Sequence, residues 1–63
     1  MCLSTVYKEK KDLKNKLMEN VCTINLTKEG LVFTDLMDRK LKYNGNLIEA
    51  NLVDGYVIVG KEK

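Results

Sequence analysis

Apolar residues along this chain recur in short bursts, each closed by a cluster of turn-forming residues. Leu3 to Lys8 carries Thr5, Val6 and Tyr7, residue types that pack well on a pleated surface, and predicts a first strand. Glu9-Lys10-Lys11-Asp12 is a charged turn. Leu13 to Met18 alternates weakly, with lysines at 14 and 16, and fits an edge strand or irregular arm. A helix over Lys10 to Asn20 competes, because Lys, Leu, Met and Glu favour helices and Leu13 and Leu17 are four apart. Val21 to Thr27 is a clearer strand, with Cys22, Ile24 and Leu26 on one face and Val21, Thr23, Asn25 and Thr27 on the other. Lys28-Glu29-Gly30 turns into a strand over Leu31 to Leu36. Met37-Asp38 connects tightly to Arg39 to Tyr43, and Asn44-Gly45-Asn46 is a further turn. Leu47 to Val53 is a strand, Asp54-Gly55 the strongest hairpin signal, and Tyr56 to Val59 the closing strand. Gly60-Lys61-Glu62-Lys63 reads as a solvated tail.

Short strands at roughly eight- to ten-residue spacing, joined by turn dipeptides, predict an all-β fold: a small antiparallel β-barrel or meander of about six to seven strands. Tyr56 to Val59 and Leu31-Val32-Phe33 are apolar on both faces. A strand with one face in a core needs apolar residues only at alternate positions. The surplus face asks for a second layer, and a second copy of the chain is the simplest, so a homodimer is expected. The competing cover is a long loop or the Leu13 to Met18 arm.

The 63 residues, 1–63, read as a single small β domain. A domain near this size hides only ~60% of the surface its unfolded chain exposes, so self-association would help it. A net charge of +2 is too small to imply nucleic-acid binding without clustering. Without histidine, Ser-His and Cys-His nucleophiles and His-based zinc sites are excluded within the chain. Two cysteines are too few for a disulfide scaffold and form no C-x-x-C pair. No signal peptide precedes the lysines, and no run approaches the ~20 apolar residues of a membrane span. A cytoplasmic protein with reduced thiols is expected, without a membrane partner.

Cys2 carries the candidate chemistry. Were the initiator methionine removed, Cys2 would offer its amine, its thiol and, one atom further on, the amide nitrogen of Leu3. These donors can close fused five-membered chelate rings around a metal, and planar nitrogen and thiolate donors suit Ni(II) or Cu(II). Cys2 and Leu3 are on this chemistry the candidate metal residues. The plainer alternative is that a lone cysteine near a terminus is a small buried apolar residue. An N-terminal cysteine can also act as a nucleophile with its own amine as base, but such a site needs an oxyanion hole and a pocket. No enzyme is expected. Asp35 and Asp38 flank Met37 as turn-capping residues rather than a catalytic pair, and Lys40 and Lys42 alternate with Leu41 and Tyr43 as an exposed strand face or a phosphate-contacting stripe.

The opening Met1-Cys2-x-Ser4-x-Val6-Tyr7 resembles the start of the small CooT-type nickel-binding proteins. Met18-Glu19-Asn20-Val21, Asp35-Leu36 and Val53-Asp54-Gly55 follow in the family's order. The resemblance implies a cytoplasmic homodimer of small antiparallel β domains that binds Ni(II) through Cys2 near the two-fold axis. It implies a carrier or accessory role, with a nickel enzyme such as carbon monoxide dehydrogenase as client. The family has also carried an RNA-binding label. RNA binding, carried by Lys40, Lys42 and neighbouring tyrosines, is the alternative function. The chain departs from the family at Met37-Asp38, where many members have a glycine, and at Cys22, expected as a buried inert thiol or, alternatively, a second ligand.

Overall fold

The computed structural model of the chain describes residues 3–63. Its strands are β1 (Ser4–Lys8), β2 (Lys16–Thr27), β3 (Gly30–Asp35), β4 (Lys40–Tyr43), β5 (Leu47–Asn51) and β6 (Tyr56–Val59), with a 3-10 turn over Leu13–Asn15. All six strands lie in one sheet, in the order β4-β3-β2-β1-β6-β5. The first four make an antiparallel meander. The last two form an antiparallel hairpin, and β6 docks parallel to β1, with Val6 opposite Val57 and Lys8 opposite Val59.

The expectation of a closed antiparallel barrel is corrected to an open mixed sheet, with β4 and β5 as its edges. The cause lies in the Asn44-Gly45-Asn46 segment. It does not fold β5 back onto β4. The tail pins it instead, as Gly60 N–H donates to the Asn46 carbonyl at 2.8 Å and Lys63 N–H to the Asn44 carbonyl at 2.7 Å. The chain therefore crosses to the far side of the sheet before β5 begins.

Val6, Val21, Leu31, Phe33, Tyr43, Val57 and Val59 form the core, and Leu17, Met18, Ile24 and Leu41 pack against it. Phe33, Val6, Val57 and Val59 are fully buried, and burial of such side chains contributes ~1.5–3 kcal/mol each. Tyr43 hides its ring in this core and donates its hydroxyl to the Gly60 carbonyl, satisfying a group that burial would otherwise penalise.

The expectation of an edge strand, or of a helix over Lys10 to Asn20, is corrected at Leu13 to Met18: Leu13–Asn15 make a 3-10 turn, and Lys16 to Met18 open an interior strand. Asp12 caps a short turn by accepting from Lys14 N–H at 3.3 Å, and Asn15 ties the turn to the Lys8 carbonyl at 2.7 Å. From Lys16 the chain runs as β2, which lies between β1 and β3. Lys16 pairs with Glu19 at the surface.

β2 is long because it is bent. Its register slips against β1 between Val21 and Met18 and again between Met18 and Lys16. Against β3 it slips between Val21 and Thr23. Asn20 adopts φ +55 within this region, a left-handed conformation that Asn tolerates better than most residues. Such bulges bend a strand and re-aim its side chains. The first half of β2 consequently serves β1 and the second half β3.

The doubly apolar strands are partly covered within the chain: Val32, Tyr56 and Ile58 are half-buried. Large exposed apolar side chains lie at turns and edges instead, among them Leu36, Met37, Ile48, Leu52 and Val53. Among the described residues no helix is long and apolar enough to cross a membrane.

Candidate functional site

Cys2 lies outside the described residues; the surroundings begin at Leu3. Leu3 is half-buried against the turn that joins β5 to β6. Asn51 builds this turn. Its side-chain oxygen accepts from Val53 N–H at 3.2 Å and Asp54 N–H at 2.9 Å, and its carbonyl accepts from Gly55 N–H at 2.9 Å. Gly55 sits at φ +79 and faces the Leu3 carbonyl, which a Cβ at this position would approach to 3.2 Å. Thr5 N–H then donates to the Gly55 carbonyl at 3.0 Å. Both the backbone angle and the close approach call for glycine. Val53-Asp54-Gly55 is thus a hairpin turn, as its composition predicts, and it is also the clamp on Leu3 and Thr5. The second role has no sequence signal, since it depends on β6 lying beside β1.

Next to this clamp is a groove of about 370 Å³ lined by Ser4, Val21, Cys22, Ile24 and Leu52. Cys22 is exposed, which corrects the expectation of a buried thiol in phase with Ile24 and Leu26. The bulge is the reason. Val21 pairs with Asp35 and Thr23 with Thr34, so Cys22 is the extra residue, and Val21 and Ile24 turn toward the core. Among the described residues the Cys22 thiol makes a long contact to the Asn20 carbonyl at 3.9 Å. Val53 is 96% exposed and Leu52 66%. Ser4 therefore shares this groove with the Cys22 thiol and with Leu52 of the apolar turn.

The remaining predicted polar residues sit elsewhere. Asp35 is buried and organises the β3–β4 turn, accepting from Met37 N–H at 2.9 Å, Arg39 N–H at 2.8 Å and the Arg39 guanidinium at 2.7 Å. Burial alone would raise its pKa, but the Arg39 and Met37 donors outweigh burial and hold the carboxyl below its ordinary value. Its role as a turn-capping residue is as expected, and the four residues Leu36 to Arg39 make a wider connection than a two-residue turn.

Lys40 and Lys42 are exposed on the face opposite the core, as predicted for a solvated strand. Each has a carboxylate neighbour, Asp38 at 3.5 Å and Glu29 at 3.2 Å. Tyr43, the adjoining tyrosine, is buried, so its ring offers no stacking surface there. Burial, with Glu62 and Glu9 adding to it, pushes the Tyr43 hydroxyl above its ordinary pKa. Tyr56 is raised as well, chiefly by its hydrogen bond to Glu49, and Lys11 rests 4.5 Å above its ring.

Among the described residues no three His, Cys, Asp or Glu side chains converge as a metal site would require.

A family model described as "CO dehydrogenase accessory protein CooT" matches residues 1–60. The fold is similar to a crystal structure of a protein assigned as CooT from Carboxydothermus hydrogenoformans, with a TM-score of 0.86 at 19% identity, covering 98% of this chain and 100% of that one. At that identity the likeness speaks for the fold alone. No curated protein matches the chain.

Proposed function

The chain belongs to the CooT family of CO dehydrogenase accessory proteins, and from that premise we propose that it is a nickel-binding accessory protein, acting as a homodimer, with Cys2 as ligand. The observation that carries the reading is the family match from residue 1 to residue 60, which takes in the Met-Cys start and the Gly55 clamp together. Leu3 supplies its backbone nitrogen. The clamp holds that residue half-buried and so limits where the donors can go. Cytoplasmic nickel is the cargo, and a carbon monoxide dehydrogenase or another nickel enzyme is the client. The protein carries metal rather than transforming a substrate.

The chemistry sets the behaviour. Thiol and amine both lose protons on binding, so affinity falls at acidic pH. Cu(II) would bind at least as tightly by the general affinity order, so selectivity rests on supply and delivery. Leu52 and Val53 in the β5–β6 turn provide apolar surface for a second copy to cover. A Cys2→Ser variant should lose nickel in equilibrium dialysis while keeping its elution volume in gel filtration. Native nickel affinity in that variant would rule Cys2 out as the ligand.

A further inference from the structure

We propose that Asn44 is a site of spontaneous deamidation, and that its isoaspartyl product releases the tail which this segment holds. Asn44 is exposed just after β4, and Gly45 follows it. Every other asparagine of the chain precedes lysine, valine or leucine, whose side chains crowd the backbone nitrogen that attacks in this reaction. Asparagine is among the thermolabile residues. Glycine has no Cβ and leaves that nitrogen open.

Packing fixes the glycine in place. A Cβ on Gly45 would lie 2.5 Å from the Tyr43 ring and 3.1 Å from the Lys61 carbonyl. Tyr43 is a core residue, and forcing a packed core side chain aside is costly. The hydrogen bonds add to the effect. Lys63 N–H donates to the Asn44 carbonyl at 2.7 Å. That carbonyl belongs to the same peptide unit as the Gly45 N–H, so a donor on its oxygen polarises the unit and makes the N–H a better acid. Among the described residues the Gly45 N–H donates to no backbone carbonyl. Asp54-Gly55 is the contrasting case. Gly55 N–H donates to the Asn51 carbonyl at 2.9 Å, so its nitrogen is engaged.

The reaction needs only water. The Gly45 nitrogen bonds to Asn44 Cγ, and the side-chain amino group leaves as ammonia with the proton that nitrogen gave up. A five-membered succinimide remains, and water opens it. Cleavage between the nitrogen and Cγ gives aspartate on an intact main chain. Cleavage between the nitrogen and the original backbone carbonyl carbon routes the main chain through Cγ and gives isoaspartate. One water is consumed, one ammonia is released and no atom is oxidised or reduced.

The two products treat the tail differently. Aspartate keeps the backbone, and position 44 lines a groove with Lys28 and Lys63, whose charges suit a carboxylate. Isoaspartate inserts a methylene into the main chain. It displaces the carbonyl that accepts from Lys63 and shifts the Asn46 carbonyl, which accepts from Gly60 N–H at 2.8 Å. Both bonds that tie residues 60–63 to this segment then fall out of register. None of this rests on the nickel reading.

The test ages the full-length chain in warm, mildly alkaline buffer. Trypsin releases residues 43–61 as one peptide that holds Asn44, Asn46 and Asn51, so the last two serve as internal controls. We expect Asn44 to gain the mass difference between a hydroxyl and an amino group at least ten-fold faster than either, as two products separable by chromatography. The isoaspartyl chain should melt about 4–8 °C below the fresh one, the shift of one lost hydrogen bond in a domain of this size. Asn44→Asp should melt with the fresh chain, and Asn44→Ser should show no conversion at this position. An Asn44 that stays intact in the folded chain while it converts in urea would overturn the proposal. An isoaspartyl chain that melts with the fresh one would overturn the release of the tail.

Discussion

At the residue scale, Asp35 shows how a buried charge is kept and what it does. Its carboxylate sits in a shell of donors from Met37 and Arg39, so its pKa is depressed when the protein is folded. The stabilisation is therefore fully present above the ordinary carboxyl value near ~3.9 and is lost as pH falls through the lower, folded value. Asp35→Asn should melt at lower temperature than the natural chain at pH 7. The gap between the two melting curves should narrow once the pH drops below about 3.9. A gap that stays constant down to strong acid would show that the carboxylate charge is not what matters. Tyr43→Phe is the neutral counterpart. It leaves the Gly60 carbonyl without its donor and should cost about 1 kcal/mol, a fall of roughly 4–8 °C in a domain of this size. The capping role of Asp35 could be read from its place before a turn. The exposure of Cys22 could not, because alternation assigns faces only while the register is unbroken.

At the scale of elements, the β5–β6 turn and the bulged β2 decide the geometry near the chain start. Gly55→Ala puts a Cβ onto the Leu3 carbonyl at a backbone angle that L residues resist. It should destabilise the fold by about 1 kcal/mol or more. The loss should be visible in urea melts, with weaker nickel uptake accompanying it. Full nickel affinity in a folded Gly55→Ala protein would show that the clamp does not shape the donors. In β2, Asn20 should accept glycine with little change at its φ of +55. Valine there should cost on the order of 1–2 kcal/mol, because a β-branched side chain clashes in the left-handed region. Most strands were legible from their short apolar bursts and turn dipeptides. The stretch before Val21 was not, since helix formers and a strand pattern overlap there and only the pairing with β1 resolves them.

At the scale of the whole molecule, Leu52 and Val53 are exposed in the β5–β6 turn, and the proposed homodimer would cover them. Val53→Asp should shift sedimentation toward monomer without unfolding the chain, since Val53 makes no part of the core. An unchanged sedimentation coefficient would move the dimer contact to another surface, with Leu36 and Met37 the next apolar turn to test. The sheet itself is open because the tail ties down residues 44 and 46 and sends β5 to the edge opposite β4.

Local chemistry was enough to determine that the chain is all-β, where most of its strands run and which aspartate caps a turn. These follow from side-chain preferences and spacing within a few residues, and the chain carries them wherever it goes. Tertiary structure alone decided that β6 runs parallel to β1, that the sheet stays open, that Gly55 grips Leu3 and that Cys22 faces a groove rather than the core. Each of these depends on contacts between residues far apart in the chain, where a one-residue bulge reverses a face and no local pattern records it.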